Sequence, residues 1–146
     1  MTPIRPHTTG HPGYSMGLAC WPSSVPLARA SALLTLRCWG LPKATADDVA
    51  LIATELVTNA VRHATPATGD PEAPARCRLT VERPTPDTVR VTVSDSSPRR
   101  PVLAEAGEDD EAGRGLLLIQ ALSADWGTSD HTAGKSVWAL VKVPAL

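Results

Sequence analysis

Glu55 and Asn59 lie four residues apart in a stretch whose apolar spacing is helical, so their side chains reach the same patch of space. An amide oxygen beside a carboxylate is a hard-ligand set suited to magnesium, which takes few protein ligands and draws the rest from phosphates and water. The alternative is a solvated helix face. Against it, Thr54, Thr58 and Asn59 are each about a few tenths of a kcal/mol worse than Ala in a helix interior. Asp95 closes a valine-rich strand ahead of Ser96, Ser97 and Pro98. A carboxylate there can accept from an exocyclic amine such as the adenine amino group, or simply cap a turn. Gly113, Arg114 and Gly115 precede the apolar run Leu116 to Ile119. Glycines before a helix leave the first backbone N–H groups unobstructed, and a helix N-terminus favours anions; a flexible turn is the plainer reading.

These residues need elements to hold them. Val25 to Trp39 has apolar residues at Leu27, Ala30, Leu33, Leu34 and Cys38, with Ser23 or Ser24 as cap, which predicts a helix. Pro42 breaks the chain, Thr45 is the expected N-cap of a second helix, and Asp47 and Asp48 favour its start; it runs to about Ala64, before Pro66. At 100° per residue Val49, Ala53, Leu56, Val57, Ala60, Val61 and Ala64 form one apolar arc. Asp48, Glu55, Asn59 and Arg62 fall within about 60° of one another on the other side. Arg78 to Arg83 and Val89 to Asp95 alternate as strands around a turn marked by Pro84 and Asp87. Gly115 to Leu122 fits a buried helix, and Ser136 to Val143 a final strand. The expected fold class is α+β: a two-layer sandwich with a mixed, mostly antiparallel sheet and helices on one face. Residues 1–17, rich in Pro, Gly, His and Thr, read as a flexible arm or a loose edge strand; one domain spans 18–146.

Composition narrows the function. The 146 residues carry 14 basic and 15 acidic side chains, a net charge of -1, without the basic excess that direct nucleic-acid binding requires. Few aromatics weaken base stacking further. No run approaches the roughly 20 apolar residues of a membrane span. Pro3, Pro6, Pro12 and three glycines among the first seventeen residues argue against a secretory signal. Cys20, Cys38 and Cys77 are odd in number and widely spaced, which argues against a disulfide framework or structural zinc and fits a reducing cytoplasm. No GxSxG elbow supports a serine hydrolase. His63 reads as structural or exposed, and the tryptophans as core or interface anchors.

In their order and separation the motifs resemble the Bergerat ATP-binding fold of the GHKL superfamily, and within it the small anti-sigma-factor serine kinases. ELVTNAVRHA, from Glu55, looks like the N box; VSD, ending at Asp95, looks like the strand and aspartate of the first glycine box. GRGLLLI, from Gly113, looks like the second glycine box, and GKSVWAL, from Gly134, resembles the closing strand, with Ser136 in place of the usual Thr. The likeness runs from about Leu18 to Val143. It implies ATP and Mg2+ as cofactors. Asn59 would hold the metal, and Asp95 would take the adenine amino group with Ser136 in support. Gly113, Arg114, Gly115 and Leu116 would line the phosphates, and Glu55 would be the general base toward a protein serine or threonine hydroxyl. It implies a cytoplasmic regulatory protein kinase whose partner is an anti-sigma-factor antagonist, with a sigma factor in a competing complex, and it allows a homodimer.

Two departures separate the possible functions. Ser97 stands where the family's first glycine box has glycine, with Pro98 next. The lid segment, Pro101 to Ala112, carries Glu105, Glu108, Asp109, Asp110 and Glu111, whose charge opposes a polyphosphate. Glu55 favours the kinase; Ser97 and the acidic lid favour a nucleotide-sensing protein-binding module without catalysis. A third reading, an α/β interaction protein with no nucleotide site, requires the motifs to coincide by chance.

Overall fold

The computed structural model describes residues 11–63, 75–95, 110–131 and 134–144. In chain order the elements are β1 (Gly13–Ala19), α1 (Ser24–Cys38), α2 (Lys43–His63), β2 (Arg76–Thr85), β3 (Thr88–Asp95), α3 (Asp110–Leu122), β4 (Asp125–His131) and β5 (Gly134–Lys142). The strands form one sheet in the order β1-β2-β3-β5-β4, antiparallel at every junction. The three helices lie side by side on one face, α2 in the middle between α1 and α3. This is the expected α+β sandwich.

The core forms where the inward residues of the strands meet α2. Leu79, Val81, Val89, Val91 and Val93 alternate inward from β2 and β3, and Val137, Ala139 and Val141 from β5. Against them α2 buries Val49, Ile52, Ala53, Leu56, Val57 and Ala60, the expected arc with Ile52 added. Val61 is only partly buried, and Ala64 lies outside the described residues. The helix starts two residues before Thr45: Pro42 O accepts from Ala46 N at 3.0 Å. Pro42 thus closes the first turn with its carbonyl, and Thr45 is a buried helical residue rather than the cap.

Helix α1 turns a different face inward than its leucines predict. Ser24, Ala28, Ala32 and Leu36 are buried at four-residue spacing, while Leu27 and Leu34 are 54% and 64% exposed. Small side chains let two helices approach closely, so the alanine stripe meets α2 and the leucines face outward. Ser23 takes the N-cap position without a side-chain bond; Ser24 Oγ instead donates to Ala19 O at 2.7 Å, tying the helix start to β1.

At the sheet edges, β1 takes the edge-strand alternative and β4 goes beyond the expected set. Gly13 to Gly17, expected as arm or loose edge strand, pair with β2 from Gly13↔Glu82 to Gly17↔Arg78. β4 pairs with β5 from Asp125↔Leu140 to His131↔Gly134. Pro84, which has no N–H to give a ladder, sits where the β2–β3 register shifts between Glu82 and Thr85. Helix α3 begins at Asp110, five residues ahead of the expected Gly115. Among the described residues, no helix is long and apolar enough to cross a membrane.

Candidate active site

The central helix positions two of the expected residues. Glu55 and Asn59 are both half-buried on α2, Glu55 on the flank that turns toward α3. Burial pushes the Glu55 carboxyl above its ordinary range, and the Arg62 guanidinium partly offsets this. The carboxylate lies against α3: a Cβ added at Gly115 would stand 2.7 Å from Glu55 Oε2. Glycine at 115 thus lets the Glu55 carboxylate keep this position; a larger residue would displace it.

Asn59 and Asp95 line one small cavity of about 10 Å³, with His63 and Lys135 beside them and Leu56, Ala60, Val93 and Val137 as apolar walls. That volume suits a single water. Lys135 Nζ stands 3.9 Å from Asp95 Oδ2, with side chains 6% and 3% exposed. So α2 and the ends of β3 and β5 bring Asn59 and Asp95 together, with a buried cation as third member. Lys135 was missed as an inward residue because lysine reads as surface. The signal was available in strand parity: position 135 shares the inward face with Val137, Ala139 and Val141.

Other expected residues stand elsewhere. Ser136 faces the opposite side of the sheet from Asp95. Its hydroxyl is 2.7 Å from that of Ser94, its direct cross-strand partner, and it borders a groove of about 400 Å³ on the helix-free face with Arg90, Thr92 and Trp138. Strand alternation forbids Ser136 from supporting Asp95 directly, and Lys135 takes that place. Gly113, Arg114, Gly115 and Leu116 lie within α3, past its first turn, instead of ahead of a helix. Their N–H groups fall where intrahelical bonds begin, and Leu116 is fully buried in the core. Ser97, Pro98 and the lid residues up to Asp109 lie outside the described residues; Asp110, Glu111 and Ala112 form the first turn of α3.

The donor set fits a magnesium ion held chiefly by phosphates. Among the described residues no group of three or more His, Cys, Asp or Glu side chains forms a metal cage. Asn59, one turn from Glu55, offers the single amide oxygen such an ion takes from protein.

Cys20 and Cys77 also meet at this end of the sheet. Leu18 opposes Cys77, and Cys20 N donates to Ala75 O at 2.7 Å, which sets the two thiols on neighbouring strands. Burial pushes the Cys77 thiol up to about 12, with Cys20 and Asp95 adding to the rise.

Residues 19–141 match the model of the histidine kinase-like ATPase domain family. An uncharacterized protein of Streptomyces coelicolor is 40% identical over 86 residues, which cover 58% of this chain and 75% of that one. Among solved structures, the RsbU and RsbW domains of a Mycobacterium tuberculosis protein superpose with a TM-score of 0.61 at 17% identity over 92% of this chain. This chain spans 34% of that structure's length, so the likeness is one of fold.

Proposed function

The chain belongs to the histidine kinase-like ATPase domain family, and from that premise we propose that it binds Mg-ATP beside α2 and α3 and phosphorylates a serine or threonine of a regulatory protein. Membership carries ATP binding as the family's function; the protein acceptor is the added step. The single observation that carries it is the Glu55 carboxylate, partly desolvated, packed on Gly115 and one turn from Asn59.

Each residue then has one task. Asp95 accepts from the base amine, and Asn59 holds the magnesium. That ion, when bound, neutralises charge on the phosphates. Glu55 accepts the proton of the incoming hydroxyl as its oxygen bonds to the γ-phosphorus; the bond to the β–γ bridging oxygen breaks, and ADP leaves with that electron pair. A base whose proton affinity is raised by burial is better matched to this step at neutral pH than an ordinary carboxylate. Phosphoryl transfer depends on such positioning and electrostatics more than on covalent chemistry.

The acceptor proposed is an anti-sigma-factor antagonist, with a sigma factor in a competing complex in the cytoplasm. The structural likeness to a chain that joins RsbU and RsbW domains supports a regulatory partner. Leu117, 58% exposed, offers a partner an apolar anchor on the face of α3 turned away from Glu55. The second reading, a nucleotide sensor without catalysis, draws on Ser97 in place of the glycine-box glycine and on the carboxylates of the lid segment.

Thermal melting with Mg-ATP tests the first half. A hundredfold excess over Kd adds about 2.7 kcal/mol, a rise of roughly 5–10 °C for a domain of this size. No rise at millimolar Mg-ATP would reject the nucleotide site. Phosphate transfer from radiolabelled ATP to an antagonist protein, lost in Glu55→Gln, supports the kinase; binding without transfer to any antagonist favours the sensor.

A further inference from the structure

Three charged residues stand in one row at the end of the sheet. Asp95 on β3, Lys135 on β5 and Asp130 on β4 are direct cross-strand partners. Directly opposed residues in antiparallel strands project to the same face, about 4.5–5.5 Å apart at Cβ. Here that face is the helix-covered one, because Lys135 shares parity with buried Val137, Ala139 and Val141. Lys135 therefore has a carboxylate on either side: Asp95 is buried at the cavity, and Asp130 is exposed.

The two sides differ in what they exclude. With its ammonium toward Asp95, Lys135 is one wall of a cavity of about 10 Å³, far too small for a purine. The separation of 3.9 Å lies beyond hydrogen-bond length, so the contact is an ion pair that a better donor can replace. A base amine donating to Asp95 is such a donor. A displaced buried ammonium, however, needs another countercharge, since an uncompensated one is strongly unfavourable. Asp130 is one strand spacing away, about 4.8 Å, within the sweep of a flexible four-carbon side chain.

We infer that Lys135 is a two-position counter-ion: it closes the base subsite by pairing with Asp95 and moves to Asp130 when a base amine takes Asp95. Asp130 is then a positioning residue, touching no nucleotide but holding Lys135 clear of it. The inference rests on the proposed role of Asp95 as base acceptor. It makes binding an exchange of one donor for another, which selects a base carrying an exocyclic amine.

The test is Mg-ATP affinity, by calorimetry on the full chain, for wild type, Asp130→Asn, Asp130→Glu, Lys135→Met and the double variant Asp130→Asn/Lys135→Met. Asp130→Asn is expected to weaken binding tenfold or more. Bulk charge predicts the opposite, because removing a carboxylate favours a polyanion. Asp130→Glu should restore affinity to within threefold. Lys135→Met should bind more tightly than wild type, and adding Asp130→Asn to it should change affinity less than twofold. Should Lys135→Met fail to fold, Lys135→Gln takes its place in both the single and the double variant. Equal weakening by Asp130→Asn in both backgrounds, or less than threefold weakening in wild type, overturns the switch. Weaker binding by Lys135→Met also overturns it, making Lys135 a direct nucleotide contact. Asp95→Asn separates the premises: unchanged affinity there removes the base acceptor and the switch with it. Lost affinity there beside an inert Asp130→Asn removes the switch alone.

Discussion

Glu55 and Gly115 meet across the α2–α3 contact so closely that a methyl group on residue 115 would stand 2.7 Å from Glu55 Oε2. Glycine inside a helix costs about 0.5–1 kcal/mol relative to alanine, so helix propensity alone favours Ala at this position. The space does not. Because the obstructing atom is the end of a flexible side chain, Gly115→Ala should displace the carboxylate without unfolding the domain. Stability is expected to stay within about 1 kcal/mol of wild type, the propensity gain offsetting the displacement. Phosphate transfer should fall with Mg-ATP affinity largely kept. Melting and transfer assays on the one variant decide it, and full transfer activity would show that Glu55 does not act from this position.

Replacing the carboxylate itself separates base from scaffold. Glu55→Gln should leave Mg-ATP affinity nearly intact and lower the transfer rate by about 10²–10⁴, the usual contribution of a positioned base. A loss below tenfold rejects the assignment. The raised pKa of Glu55 adds a pH signature. The wild-type rate should fall on acidification at a pH above the ordinary carboxylate range, as the base protonates. Stability moves the other way. A carboxyl whose folded pKa is raised binds its proton more tightly in the folded state, so its burial penalty is absent below the unfolded pKa and complete above the folded one. Glu55→Gln should therefore melt higher than wild type at neutral pH, and the advantage should vanish on acidification; an advantage that grows instead would contradict the burial of Glu55.

The parts that were legible in sequence are those where one pattern dominates. Helix α2 carries a long apolar arc opposite Glu55 and Asn59, and β2 and β3 alternate cleanly into the core. The edge strands gave no such signal. Asp125 to His131 holds Trp126 as its one large apolar residue, with Gly127 beneath the Trp138 ring on the open face, where a Cβ would lie 3.0 Å from Cζ2. β1 contains Gly13 and Gly17, which pack little. Their pairing comes from the neighbouring strand rather than from their own composition. In α1, hydrophobicity points to the leucines, whereas close approach to α2 selects Ala28 and Ala32. At the site, the exchange of Ser136 for Lys135 opposite Asp95 turns on a one-residue parity that side-chain polarity concealed.

Asn59 should behave differently from Glu55 although the two are one turn apart. Asn59→Ala removes an oxygen proposed to hold the metal, which neutralises the phosphates in ground and transition states alike. Mg-ATP affinity and transfer rate should fall together, while affinity for ATP measured in EDTA should change little. Stability should drop by less than about 1 kcal/mol, since alanine is the better helix former. An equal loss with and without magnesium would make Asn59 a direct nucleotide contact.

The cysteines report on β1, whose pairing covers one end of the sheet. Cys38 is exposed, whereas burial raises the pKa of Cys20 and pushes Cys77 up to about 12. Alkylation requires the thiolate, and a thiol with a pKa of 12 is ionised to about one part in 10⁴ at pH 8. Iodoacetamide on the native protein should therefore label Cys38 first, Cys20 more slowly and Cys77 last, with all three reacting alike in denaturant. Cys77 is opposed by Leu18, and the β1 chain continues to Cys20 at its side, so its protection depends on β1 staying paired. Met16→Pro removes a ladder donor from that strand: Cys20 N donates to Ala75 O and Arg83 N to Pro12 O, which sets the even-numbered residues of β1 at the hydrogen-bonded positions, and Met16 opposes Leu79. Cys77 labelling in Met16→Pro should accelerate at least tenfold while Cys38 labelling stays constant. Native Cys77 reacting as fast as Cys38 would mean that β1 does not cover it.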